Sequence, residues 1–69
     1  MENTHRLTVN LTARSVAAVE LAAELTGELK TDTINRALQL YSYVMHTISE
    51  GGAVYVQEKD GEMMKLKFL

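Results

Sequence analysis

The chain has 69 residues, no cysteine and a formal net charge of −2. A chain this short holds at most one small domain. Without disulfides or a large core it calls for another source of stability, and association is the simplest. No apolar run approaches a membrane span and no signal-peptide core opens the chain, so the expectation is a soluble, cytoplasmic protein.

A pI near 5.6 argues, at the crudest level, against a nucleic acid as partner. The distribution of charge weakens that objection. Glu20, Glu24 and Glu28 recur at the spacing of one helical stripe, and Glu58, Asp60 and Glu62 cluster near the C-terminus. Arg6, Arg14, Lys30 and Arg36 lie elsewhere, in or beside segments with a different chemistry.

Residues 6–11 alternate strictly: Leu7, Val9 and Leu11 fall on one face, Arg6, Thr8 and Asn10 on the other. That is the period of a strand with one apolar and one wet face. Arginine, threonine and asparagine can all meet base edges in a duplex major groove, which admits a two-stranded ribbon. Only one such strand precedes the helical segments, and a lone strand leaves its backbone groups unpaired. A ribbon here therefore needs a second chain, and the pattern implies a homodimer that reads DNA.

Thr12 follows as a helix N-cap, and Gly27 supplies a stop, so the first helix is expected over residues 13–26. Val16, Val19, Ala22, Ala23 and Thr26 make its inner face, while Leu21 and Leu25 lie nearly opposite and need a cover. A short link, Glu28-Leu29-Lys30, leads to Thr31-Asp32-Thr33, which offer a hydroxyl cap and a first-turn acid for the second helix. Ile34, Ala37, Leu38, Tyr41, Met45 and Ile48 form one apolar stripe along it, and Gly51-Gly52 ends it.

The remaining residues, 53–69, read as a β-hairpin. A connection through Lys59-Asp60-Gly61, with glycine in the left-handed position, sets Val56 opposite Met64. In that register Val54, Val56, Met64, Leu66 and Phe68 share one face. A turn of Asp60-Gly61 alone would slip the pairing by one residue and scatter that face. The apolar face is a candidate cover for Leu21 and Leu25. The expected organisation is thus a domain over residues 1–52 with a C-terminal hairpin extension, 53–69, packing on it.

The succession RLTVNLT, the turn at Gly27 and KTDTINRALQLY resembles the ribbon-helix-helix family of DNA-binding proteins, the MetJ/Arc/CopG type. The resemblance covers residues 6–48 without insertion or deletion. It implies a mainly α homodimer in which an intermolecular two-stranded antiparallel ribbon joins two helices per chain. It also implies that Arg6, Thr8 and Asn10 contact bases. The start of the second helix, near Lys30 and Thr31, would hold a phosphate, where free amides and the helix dipole favour an anion. Many relatives carry serine or threonine where this chain has Leu29, with Thr31 as a substitute. The hairpin lies beyond the minimal family fold.

No chemistry of another kind is expected. His5 and His46 lack cysteine or acidic companions at ligand spacing, so no metal is expected. Ser15, Ser42 and Ser49 have no neighbour that would activate a nucleophile. Gly51-Gly52 opens a strand rather than a phosphate-binding helix. The chain reads as neither an enzyme nor a cofactor carrier. The leading expectation is a sequence-specific transcriptional repressor acting on double-stranded DNA. The alternative is the antitoxin, or protein-interaction module, of a toxin–antitoxin pair, with the hairpin or the first helix binding a protein partner.

Overall fold

The structure is a computed structural model that describes residues 4–67. It is mainly helical. Two helices, α1 (Ala13–Thr26) and α2 (Lys30–Ser49), are followed by two short strands, β1 (Tyr55–Gln57) and β2 (Met63–Lys65). The chain divides into two compact units, Met1–Ile34 and Asn35–Leu69, with the division inside α2.

α1 begins and ends where its local signals place it. Thr12 is extended, and its Oγ1 accepts from the Ser15 amide at 3.1 Å, satisfying one of the free donors of the first turn. At the other end Gly27 takes the left-handed conformation, φ 75°, and its N–H donates to the Ala23 carbonyl at 2.8 Å. Ala23 is buried, with Val19 and Ala22 half-buried beside it, so the expected inner face is only partly formed. Val16 and Thr26 are exposed, as are Leu21 and Leu25. Glu28 lies beyond the helix end, so the acidic stripe on α1 itself is Glu20 and Glu24.

α2 starts at Lys30, one residue ahead of the Thr31-Asp32-Thr33 cap expected for it. The residue before the first helical turn is Leu29, whose side chain has no acceptor. The Thr33 amide donates to the Leu29 carbonyl at 3.0 Å. Thr33 itself is buried, and its Oγ1 has no hydrogen-bond partner. Asp32 does occupy the first turn, where its charge suits the helix dipole.

The end of α2 uses both glycines for different reasons. Gly51, at φ 88°, donates to the Ile48 carbonyl, and Gly52 donates to the Thr47 carbonyl at 2.9 Å. This pair of bonds is the Schellman motif, which satisfies carbonyls that the helix leaves free. Gly51 supplies the left-handed backbone. Gly52 supplies space, because a Cβ there would lie 2.8 Å from Cγ2 of Thr47.

The apolar stripe of α2 is not the buried face of the single chain. Ile34, Met45 and Ile48 are half-buried, but Ala37, Leu38 and Tyr41 are exposed. Thr33 and Val44, which lie to one side of that stripe, are the buried residues of this helix. Each additional residue turns the helix by a fixed angle, so a helix with apolar residues around much of its girth can bury either side.

The hairpin has the expected register. Tyr55 pairs with Lys65, Val56 with Met64 and Gln57 with Met63, and the Leu66 amide extends the ladder to the Val54 carbonyl at 2.8 Å. Alternation from that register puts Val54, Val56, Met64 and Leu66 on one face. Phe68, assigned to the same face, lies outside the described residues. The turn differs in one respect. Gly61 does not take a positive φ. Its amide closes a turn onto the Glu58 carbonyl at 3.0 Å, so glycine stands at the fourth turn position, where it is also favoured.

Candidate nucleic-acid interface

The residues expected to meet DNA sit on two parts of the first unit. Arg6, Thr8 and Asn10 belong to residues 4–12, which are exposed and carry no regular secondary structure. The strand expected over 6–11 is thus not formed in the single chain, and the strands of this structure come after the helices. The physical reason is the one that makes a lone strand implausible: a ladder needs a partner, and among the described residues the one sheet is the β1–β2 hairpin. The apolar side chains of the segment are accordingly bare. Leu7 is 86% exposed, Val9 66% and Leu11 47%.

Lys30 and Thr31 are brought together as the first residues of α2, both exposed. A helix N-terminus carries partial positive charge, which favours an anion there. One ion pair, which the linear pattern does not reveal, modifies that setting. Nζ of Lys30 lies 3.5 Å from Oε2 of Glu20 on α1. Both side chains are more than half exposed, so the pair holds the lysine loosely and leaves it able to turn to another anion. Glu20 is legible as part of an acidic stripe, but its meeting with Lys30 depends on the direction the chain takes after Gly27, which the stop signal does not specify.

Arg14, in the first turn of α1, is exposed and adds to the basic side chains of this unit. Among the described residues, no group of three histidine, cysteine, aspartate or glutamate side chains is placed to hold a metal ion. Among the same residues, no helix is long and apolar enough to cross a membrane. No family model, no curated protein and no solved structure matches the chain.

Proposed function

We propose that the chain is a homodimeric, sequence-specific DNA-binding regulator of the ribbon-helix-helix type, acting as a repressor. The observation that carries this reading is the segment before α1. It alternates apolar and base-reading side chains, runs directly into a capped helix, and has its apolar face bare, with Leu7 86% exposed. Pairing with the same segment of a second copy gives each strand its missing hydrogen bonds and turns Arg6, Thr8 and Asn10 outward together as a two-stranded reader.

The exposed apolar side chains of α2 also favour a dimer. The exposed stripe of α2, with Leu38 60% and Tyr41 47% exposed, is where a second copy would close the core.

In this arrangement Lys30 and Thr31 fix the position on the duplex through phosphates, and the ribbon side chains choose the sequence. Selection of bound duplexes from a random DNA pool tests the reading directly. A recovered consensus with two related half-sites is the expected outcome. Failure of the intact protein to bind any duplex at low salt would remove it.

A further inference from the structure

The C-terminal hairpin presents a stability problem that points to its partner. Its paired strands are three residues long, and a two-stranded hairpin of that size does not hold its shape in water unless a face is packed or strands are added. Neither face is closed. On one, Val56 is 40% and Met64 53% exposed; on the other, Tyr55 is 55% and Met63 62% exposed.

The ladder determines which backbone groups remain free. Leu66 donates to the carbonyl of Val54, and Val56 lies opposite Met64 in the same register. In an antiparallel pair alternate residues turn their backbone groups inward, so Val54 and Val56 face β2. Tyr55 and Gln57 then turn theirs outward along the free edge of β1. Among the described residues no strand occupies that edge.

The two edges are guarded unequally. The β2 side carries Lys65 and Lys67, and lysine on an edge discourages further pairing. The β1 side, Ala53-Val54-Tyr55-Val56-Gln57, has no charge and no proline and is rich in strand-forming residues.

We propose that the free edge of β1 pairs antiparallel with the same edge of a second copy, joining two hairpins into one continuous sheet. Self-pairing about a two-fold axis through Val56 satisfies the outward groups. Tyr55 of each copy then exchanges both of its backbone bonds with Gln57 of the other. The same axis sets Val56 against Val56 on the apolar face, so Val54, Val56, Met64 and Leu66 of both copies form one patch. The proposal stands apart from the DNA-binding reading, since it uses none of the residues assigned to DNA.

The test is nuclear magnetic resonance on the full chain, with differently isotope-labelled copies mixed by unfolding and refolding. The Tyr55 and Gln57 amides are expected to exchange with solvent at least about tenfold more slowly than the outward amides of Met63 and Lys65 on the other edge. Proximity between copies is expected from Tyr55 to Gln57 and from Val56 to Val56. Replacing Tyr55→Pro removes one outward donor while leaving the ladder to β2 its own bonds, because proline is tolerated where the N–H faces away. Gln57 should then lose its protection while Val56 and Met64 keep theirs. Should Tyr55→Pro fail to fold, the double variant Y55K/Q57K, with like charges opposed across the axis, should show the same loss. Unprotected Tyr55 and Gln57 amides in the intact chain would overturn the proposal. So would protection accompanied by proximity to residues 6–11, or by proximity within one chain only.

Discussion

Glu20 on α1 holds Oε2 3.5 Å from Nζ of Lys30, the first residue of α2. A lysine assigned to a phosphate is thus already shared with a carboxylate. An exposed pair of this kind contributes only about 0–1 kcal/mol to stability. Its larger consequence is electrostatic, because a negative charge beside the lysine opposes an approaching polyanion.

Replacing Glu20→Gln should therefore leave the melting temperature nearly unchanged and strengthen binding to every duplex alike. Lys30→Ala should weaken binding to every duplex alike. It should also reduce the slope of log affinity against log salt by about 0.9 for each phosphate no longer neutralised, about 2 for a dimer. Titrations at several salt concentrations, on a preferred and a random duplex, read both effects. A Lys30→Ala slope equal to that of the intact protein would take Lys30 out of the interface.

The cap of α1 and the two glycines after α2 should show separable costs. Thr12→Ala removes the acceptor for the Ser15 amide and should cost about 1 kcal/mol of stability. Gly51→Ala is strained by its left-handed backbone, although a Cβ there meets nothing. Gly52→Ala instead meets Thr47, whose Cγ2 would lie 2.8 Å from the new carbon. Adding Thr47→Ser removes that methyl group and should recover part of the Gly52→Ala loss and none of the Gly51→Ala loss. Equal recovery in both backgrounds, measured by denaturant melts, would contradict this assignment.

These helix ends also mark what is legible in the sequence. Thr12 and Gly27 act on backbone groups within four residues, so α1 can be read to its last residue. The hairpin register is legible because a one-residue slip scatters its apolar face. The start of α2 is not, since the Thr31-Asp32-Thr33 run offers cap residues but the chain enters the helix at Leu29. Nor is the buried side of α2 legible: Leu38 and Tyr41 form the cleaner stripe, yet Thr33 and Val44 are the residues buried within one chain. Which side is covered depends on residues distant in sequence or on a second copy. The Glu20–Lys30 pair is hidden because it depends on the direction the chain takes after the Gly27 stop.

Thr33 carries a buried hydroxyl without a hydrogen-bond partner. Leaving such a group unpaired costs about 1–3 kcal/mol, and valine keeps the branched shape while removing the polar atom. Thr33→Val should accordingly be neutral or stabilising by about 1 kcal/mol in a chemical melt. A loss of stability would mean that the hydroxyl finds its partner in the assembled protein.

If the bare faces of residues 7–11 and of α2 close against a second copy, folding and association are one process. The melting temperature should then rise with protein concentration. Leu7→Asp should lower it and flatten that dependence, because the charge sits on the face that pairing would bury. A folded monomer at micromolar concentration, seen by sedimentation, would contradict the dimer.

Arg6 separates base reading from a merely solvated strand face. Its guanidinium can meet guanine through paired hydrogen bonds, while Asn10 suits adenine and Thr8 tolerates several bases. Arg6→Ala should cost about 1–3 kcal/mol on the selected site and much less on random duplex, so the preference itself narrows. The salt slope should change little compared with Lys30→Ala if, as proposed, the arginine meets a base rather than a phosphate. Stability should hold, because Arg6 is exposed in the single chain and alternates in sequence with the apolar Leu7, Val9 and Leu11. Equal small losses on selected and random DNA would mean that the segment touches the duplex without reading it.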